Sequence, residues 1–338
     1  MLKLDGSVGE GGGQILRTAL SLSALTGQPF EIEKIRANRK KPGLMRQHLT
    51  AVRAAAEVCA ATVSGDALGS LALRFEPGPV RAGDYSFAIG TAGSATLVLQ
   101  TVLPPLLTAG GPSRVTIEGG THNPMAPPVD FFERSFLPLL HRMGPRVDLR
   151  LERYGFYPAG GGKVSATVEP VRALAPLELL ERDPEVRVSA RAVVANLSRS
   201  IAQRELDVVR EQMGLAPEAL TVVEVHGLPG PGNVLAIEMA MSHHAEVATA
   251  FGEKGVPAGA VAAAAVDEAR AYLAAGAPVG RHLADQLIIP LAMAGRGRFR
   301  TGPPSRHTTT NVEVVRLFMN VPLSCAACAP RQWEVGIP

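Results

Sequence analysis

The sequence predicts an α/β protein with α+β layering, whose large domain repeats one helix–strand–loop–helix unit three times and carries a small inserted α/β domain. Three times along the chain, apolar residues at helical spacing end at a glycine and lead into a short strand and a polar loop. A long interval separates the second and third units, which indicates an insertion. Of the 338 residues, 46% are hydrophobic and 19% are charged, so a disordered chain is excluded.

Each repeat is read from the same succession of signals. In the first unit we expect a helix over 14–25, a stop at Gly27, a strand over 30–35 and a second helix over 44–59. The second unit places these elements at 95–107, 114–118 and from 129 onward, with a polar loop at 119–123. The third places them at 283–294, 298–301 and from 309 onward, with the polar loop at 305–307. Strands that alternate with helices in this way favour layered packing.

The domain division follows from the long interval. We expect residues 1–182 and 277–338 to form the large domain and residues 183–276 to form the insert, which starts at a charged stretch, 181–185. Within the insert the pattern predicts strands over 186–197 and 220–226, helices over 202–213 and 261–273, and a turn-rich loop over 227–232.

Charge and cysteine content limit the setting in which the protein works. The formal net charge is only +3, from 34 Lys and Arg against 31 Asp and Glu, so any basic surface is local. No secretory signal or membrane span is recognised, and the three cysteines suit a reducing compartment, so we expect a cytoplasmic protein without membrane attachment. A lone C-x-x-C at Cys325 and Cys328 is better explained by a terminal strand or tail than by redox or zinc chemistry.

The first candidate site is the run of glycines at 9–13 directly before the first helix. Glycines let the backbone approach a ligand, and a helix start attracts anions, although such a run is also often only a tight turn. Glu10 within it suits a metal ligand or a base. Gln14 and Arg17 share one helix face, and Arg17 on an apolar helix needs an anionic partner.

The second candidate is a basic segment. Residues 34–53 carry seven Lys or Arg and no acidic residue, which predicts either a phosphate-binding surface or a solvated face. Gln47 would stand in the first turn of the following helix, where anions are favoured.

The third candidate is His307, in the polar loop of the third unit, where an imidazole can serve as base, metal ligand or nucleophile. Because the three units repeat, we expect their polar loops to converge, with His122 and His48 as alternative histidines. Lys3 heads a K-x-D-G match to nucleotidyl-transferring ligases, which we attribute to chance at a strand end.

Five segments together resemble one family. GEGGGQILR from Gly9, KPGLMRQHLTAV from Lys41, GFYPAGGG from Gly155, LADQL from Leu283 and the His307 loop occur in the order typical of RNA 3′-terminal phosphate cyclases. The resemblance spans essentially the whole chain. It implies that a histidine takes AMP from ATP and passes it to an RNA 3′-phosphate, giving an RNA-(3′)pp(5′)A end. The neighbouring 2′-hydroxyl then closes a 2′,3′-cyclic phosphate and AMP leaves.

The resemblance also implies roles for individual residues. His307 corresponds to the catalytic histidine, and Glu10 to the ligand of Mg²⁺ or Mn²⁺. ATP and phosphate contacts fall to Gln14, Arg17, Arg36, Arg39, Gln47, Gln100, Pro128, Phe131, His282, Leu283, Ala284, Asp285 and Gln286. The implied partners are ATP and an RNA with a 3′-terminal phosphate, and a homodimer is allowed.

Two positions depart from the family pattern. His282 stands where relatives carry a tyrosine that stacks on adenine, and Tyr154 stands where an arginine or histidine is common. Two other protein classes share part of the pattern. Cyclase-like ribosomal RNA processing factors are expected to lack the histidine nucleophile, and enolpyruvyl transferases share the repeated architecture without needing it. The presence of His307 favours the enzyme.

Overall fold

The repeated unit is larger than the sequence pattern indicated, because each unit runs β-α-β-α-β-β. The computed structural model describes residues 1–338. The first unit consists of strand β1 (Leu2–Asp5), helix α1 (Gln14–Thr26), strand β2 (Phe30–Glu33), helix α2 (Arg46–Val58) and strands β3 (Thr62–Ser64) and β4 (Leu73–Glu76). Its sheet has the order β1-β2-β4-β3, in which β1 and β2 are parallel and the other pairs are antiparallel.

The second unit follows the same path. It consists of β5 (Asp84–Ala88), α3 (Ala95–Leu106), β6 (Ser113–Gly119), a helical stretch, β7 (Arg146–Arg153) and β8 (Gly162–Glu169). The helical stretch joins α4 (Val129–Phe131) to α5 (Leu137–Arg142) through π-helical turns at Phe132–Phe136. The sheet order β5-β6-β8-β7 matches that of the first unit.

The third unit is interrupted after its first strand, β9 (Leu177–Leu179). The interrupting segment consists of β10 (Arg187–Ala195), α6 (Arg199–Met213), β11 (Leu220–Val225), β12 (Gly232–Ala240), β13 (Ala245–Phe251) and α7 (Ala258–Ala275). Its strands form a sheet of order β11-β10-β12-β13. Sixteen buried residues make up its own apolar cluster, apart from the cluster of 62 that serves the repeats. The division at residues 183 and 276 stays a prediction.

The chain then completes the third unit with α8 (Arg281–Ala294), β14 (Gly297–Thr301), α9 (Arg306–Phe318), β15 (Ser324–Ala329) and β16 (Gln332–Ile337). β9 pairs with β14 in parallel, as β1 pairs with β2 in the first unit. The α/β fold class with three repeats is therefore confirmed. Cys325 and Cys328 lie on β15 as free thiols.

Several element bounds differ from the sequence predictions, each for a local reason. Strand β2 ends at Glu33 because Lys34 and Arg36 adopt positive φ angles of 53° and 55°, which extended backbone cannot continue. Helix α9 begins three residues earlier than predicted, since Ser305 caps it by accepting a hydrogen bond from the Thr308 N–H at 3.1 Å. The prediction that His307 lies in a loop was wrong: it stands in the first turn of α9.

Helix α1 brings the units together. It is apolar on nearly every face, with buried Leu16, Leu20 and Leu22, and a helix of that kind must be covered all round. Helices α2, α3 and α9 pack against it, so all three units meet along it. No helix has the length and apolar character needed to cross a membrane.

Candidate active site

A chain of hydrogen bonds links the first turns of α1, α8 and α9. The Nδ1 atom of His307 is hydrogen-bonded to the Gln14 side-chain oxygen, and the Gln14 amide group donates to Asp285 Oδ2 at 3.2 Å. The carboxylate can only accept, so it orients the amide, whose oxygen then requires Nδ1 of His307 to carry the proton. His307 Nε2 is left with its lone pair free.

The electrostatic surroundings favour neutral His307. Burial lowers the pKa of this half-buried imidazole, and the positive charges of Arg17 and Arg39 lower it further, against the opposing charge of Asp285. Burial raises the pKa of Asp285, while His307, His282 and Arg17 oppose that rise. The pair thus presents an unprotonated nitrogen at neutral pH.

Helix α9 is itself held by buried polar contacts. Thr18 on α1 donates to Asn311 Oδ1 at 2.6 Å, and the Asn311 amide group donates to the Asp285 backbone carbonyl at 3.0 Å. The sequence analysis did not single out Thr18 or Asn311. In the sequence, each is marked only as a polar side chain on an otherwise apolar helix face. Their contact depends on the packing of α1, α8 and α9.

The glycine run wraps around Glu10. Gly9 and Gly11 have φ angles of +62° and +63°, and a Cβ atom on Gly12 would collide with the Glu10 carboxylate. The Glu10 backbone N–H donates to Thr310 Oγ1 at 3.2 Å, which ties the run to α9. Arg39, in the polar loop of the first unit, forms an ion pair with Glu10, so the first and third polar loops converge as predicted.

The Glu10 carboxylate is almost enclosed. Its side chain is 8% exposed and forms an ion pair with Arg39, and no backbone N–H or uncharged side chain donates to its oxygens. A nearly buried carboxylate whose one partner is a cationic side chain fits a cation ligand. No group of three or more His, Cys, Asp or Glu side chains suited to a metal ion occurs in the protein, so an ion at Glu10 would take ligands from phosphate oxygens and water as well.

Positive charge surrounds the same turn. Burial lowers the pKa of Arg17 to about 10, which leaves the guanidinium protonated at neutral pH, and its Nε atom has no partner. Arg36 donates to the backbone carbonyls of Lys41 and Gly43, both at 2.8 Å, so part of its guanidinium closes its own loop.

His48 belongs to this cluster. Its ring abuts Gly13, where a Cβ atom would lie 2.3 Å from Nε2. Burial, together with the positive charges of Arg17, Arg36 and Arg39, lowers the pKa of His48 to about 3. A neutral ring packed among guanidinium groups adds no further positive charge.

The remaining predicted residues divide into two sets. Gln47 accepts a hydrogen bond from the Ser94 backbone N–H at 2.7 Å, and Gln100 donates to Gln286, so both join units at the centre of the molecule. The side chains of four others are buried in the protein rather than open to solvent: Pro128, Phe131, Leu283 and Ala284.

His282 occupies a different face of α8. Its ring is 57% exposed and pairs with Glu268 of α7 at 2.9 Å, and this hydrogen bond raises the pKa of His282. It borders a cavity of about 680 Å³ between α7 and the 302–305 loop.

Comparison with known proteins identifies the family of this chain. The family model described as RNA 3′-terminal phosphate cyclase matches residues 8–325. The chain is 55% identical over 321 residues to the RNA 3′-terminal phosphate cyclase of Koribacter versatilis, covering 95% of this chain and 90% of that protein. It is 53% identical to the proteins of that name from Pseudomonas fluorescens Pf-5 and Salmonella enteritidis PT4, covering 93% and 96% of their lengths. The chain belongs to the RNA 3′-terminal phosphate cyclase family.

The protein does not bring its second polar loop into the His307 cluster. His122 Nε2 is hydrogen-bonded to Asp130 Oδ2 at 2.7 Å, and Asp130 forms an ion pair with Arg191 of β10. Burial, with the Arg191 charge, lowers the pKa of His122 to about 3. The prediction that all three loops converge was wrong for His122, since its hydrogen-bond partners tie it toward the inserted segment.

Two other features that the sequence singled out are structural. Tyr154 stacks on the His122 ring, with centroids 4.9 Å apart. Lys3 is exposed on β1 and Asp5 accepts from Ser7, so the K-x-D-G match is a strand end, as expected.

Proposed function

We propose that the protein converts an RNA 3′-terminal phosphate into a 2′,3′-cyclic phosphate, using ATP as co-substrate, as a nucleotidyl-transferring ligase. Family membership supports cyclisation. The observation that carries the finer proposal is the His307–Gln14–Asp285 chain, which leaves His307 Nε2 unprotonated and unpaired. A nitrogen nucleophile in that state needs no base for its first step.

In the first step His307 Nε2 attacks the α-phosphorus of ATP. A nitrogen–phosphorus bond forms, the bond to the β-phosphate oxygen breaks, and pyrophosphate leaves with its electron pair. The His307 Nδ1 proton stays on the hydrogen bond to Gln14, which spreads the positive charge that develops on the ring. In-line displacements of this kind depend mainly on positioning and charge neutralisation.

The basic cluster supplies the charge neutralisation. Arg17 and Arg39 present guanidinium groups, which bind phosphate oxygens in a planar fork, and Gln47 adds an amide donor. Arg36 would hold the loop through its carbonyl contacts and offer its remaining donors to phosphate. The N-terminus of α9 adds a favourable dipole beside His307.

Glu10 would hold Mg²⁺ or Mn²⁺ together with phosphate oxygens. When bound, the ion would neutralise phosphate charge and orient the pyrophosphate leaving group. The Glu10–Arg39 pair places the carboxylate and a phosphate-binding guanidinium side by side, so the same turn would serve both the ion and the phosphates.

Two further displacements complete the proposed reaction. An oxygen of the RNA 3′-phosphate attacks the phosphorus of histidine-bound AMP, and His307 leaves as neutral imidazole. The RNA 2′-hydroxyl then attacks the 3′-phosphorus and gives up its proton to water, the bond to AMP breaks so that AMP leaves, and the cyclic phosphate forms. The nucleotide is proposed to lie near Gln100, Asp285 and Gln286, with Pro128, Phe131 and His282 to Ala284 shaping its surroundings.

The test is cyclisation of a 5′-labelled RNA that ends in a 3′-phosphate. With ATP and Mg²⁺ or Mn²⁺ we expect a phosphatase-resistant product, absent in His307→Ala and present in the control His226→Ala, an exposed histidine. A wild-type protein that binds this RNA without cyclising it would contradict the proposal and favour the ribosomal RNA processing class. A cytoplasmic location and a homodimer stay predictions.

A further inference from the structure

A second large cavity lies away from His307. It has a volume of about 1360 Å³, twice that of the cavity beside His282, and opens between the second unit and the inserted segment. One wall is the turn at 155–158, within the GFYPAGGG motif, and the other is formed by α6 and the residues around the start of α7. The proposed reaction uses none of these residues.

The rim of this cavity is apolar and exposed. Tyr157 is 68% exposed, Val256 is 43% exposed and Leu197 is 38% exposed, and all three line it. Large apolar side chains around a concavity mark a binding surface, and an exposed tyrosine ring is suited to stacking on a nucleobase.

The floor holds two buried oxygens without partners. Glu205 is fully buried and Asn233 is 5% exposed, and both line the cavity. The Asn233 amide group donates to Glu205 Oε2 at 3.0 Å and to the Val193 carbonyl at 3.2 Å, which leaves Glu205 Oε1 and Asn233 Oδ1 as free acceptors. Two neighbouring acceptors fit a ligand edge with two N–H donors.

The mouth can also hold an anion. Helix α7 is 18 residues long and starts there at Ala258 after Pro257, with no side-chain cap for its first N–H groups. Lys254 and Arg204 stand at the same mouth, which the carboxylates of Glu253 and Asp207 also line. Phosphate would find both a helix N-terminus and basic side chains beside the acceptors.

The glycines of the motif hold the wall in place. Gly160 and Gly161 have φ angles of +70° and +75°, and a Cβ atom on Gly161 would lie 2.7 Å from Pro229. On the facing loop, a Cβ atom on Gly232 would lie 2.1 Å from the Phe156 ring. The turn is thus clamped between the second unit and the insert, with Tyr157 pointing out of it.

We propose that this cavity binds one nucleotide of the substrate RNA upstream of its 3′-phosphate, and that guanine is the preferred base. Guanine offers adjacent N1–H and N2–H donors to Glu205 Oε1 and Asn233 Oδ1. Tyr157 stacks on the base, and a backbone phosphate sits at the start of α7. The inference rests on the proposed function only in taking RNA as the substrate.

The experiment measures binding of short 3′-phosphorylated oligouridylates in which one guanosine is moved through successive upstream positions. Fluorescence anisotropy on the full-length protein is expected to show tighter binding when guanosine occupies one particular position. Tyr157→Ala should weaken binding about tenfold, the usual effect of removing a stacked ring. Glu205→Gln should abolish the preference for guanosine, because it places a donor opposite a donor.

The controls are Leu68→Ala, another exposed apolar residue, and Glu211→Gln, an exposed carboxylate on α6. Both should bind like wild type. Because Tyr157 is exposed, its truncation leaves the core intact, so it tests the site even if Glu205→Gln fails to fold. Binding of Tyr157→Ala within twofold of wild type, or the absence of any position that prefers guanosine, would overturn the inference.

Labelling of the wild-type protein by ATP needs no RNA. Its failure would therefore contradict the proposed function and leave the RNA-binding result standing.

Discussion

His307 Nδ1 is hydrogen-bonded to the side-chain oxygen of Gln14, although 293 positions separate the two residues in the chain. The bond joins the first turn of α9 to the first turn of α1. Since Gln14 in turn donates to Asp285, the contact selects one tautomer of the imidazole and directs Nε2 away from the protein's own hydrogen bonds.

Gln14→Leu should lower kcat for His307 adenylylation by about 10 to 10²-fold with a smaller change in the KM for ATP. The ring would lose the acceptor that fixes its tautomer and angle, and misplacement on this scale has that effect on rate. Single-turnover labelling with α-labelled ATP measures it. Gln28→Leu is the control, because Gln28 joins the other ends of the same two helices through Phe318. Equal losses in both variants would assign Gln14 a merely structural role.

Arg39→Gln should move the acid limb of the pH–rate profile of adenylylation to higher pH. Burial lowers the pKa of His307, and the Arg17 and Arg39 charges lower it further, so removal of one charge lets that pKa rise. The fraction of unprotonated His307 at acidic pH then falls. A pH profile of single-turnover labelling reads the shift directly. Arg53→Gln, in the same basic segment but paired with Asp66, should leave the limb in place. An acid limb in Arg39→Gln at the wild-type position would contradict the electrostatic account.

Glu10→Gln should raise the concentration of divalent metal that is needed for half-maximal labelling. The amide keeps the size of the buried side chain but loses the charge that fits a cation, and a loss of about 10 to 100-fold in metal affinity is expected. Titration of the rate with Mg²⁺ and with Mn²⁺ gives the value. Glu313→Gln, exposed on α9, is the matched control. Unchanged metal titrations in Glu10→Gln would remove this residue from the ion site.

Glu246→Gln should stabilise the protein increasingly as the pH rises. Burial raises the pKa of Glu246 from 4.5 to about 8, so its stabilising contribution is complete below pH 4.5 and is lost as the pH rises toward 8. The glutamine does not titrate and can still accept from the Gly280 N–H. The gain in unfolding free energy over wild type between pH 4.5 and pH 8 should be on the order of 4 kcal/mol. A difference that stays constant across this range would refute the assignment.

His282→Tyr should lower the KM for ATP. A phenol ring offers more apolar area for stacking on adenine than the imidazole, which is also drawn toward Glu268. Steady-state kinetics with ATP and GTP measure both affinity and base preference. Glu268→Gln separates the two causes, since it frees the ring without enlarging it. A KM unaltered by His282→Tyr would place adenine elsewhere.

The sequence predicted the repeats because long apolar helices such as α1 and α3 carry strong periodicity. It indicated strands at Lys3 and around Cys325 but missed most of the other first and closing strands, and a segment as short as β3, with three residues, holds too little pattern. It singled out His307, Glu10 and Gln14 as candidates through their unusual neighbours. It could not rank His48 or Asn311, whose importance comes only from contacts between helices far apart in the chain.

The central claim, a covalent histidine–AMP intermediate, is tested most directly by labelling with ATP radioactive at the α-phosphate. The protein is incubated with divalent metal and no RNA, denatured, separated by electrophoresis and mapped by peptide mass spectrometry. We predict a labelled band in wild type and in Lys3→Ala, none in His307→Ala, and AMP on the His307 peptide. A folded wild type that takes up no label, or a label that survives in His307→Ala and disappears in Lys3→Ala, would contradict the account.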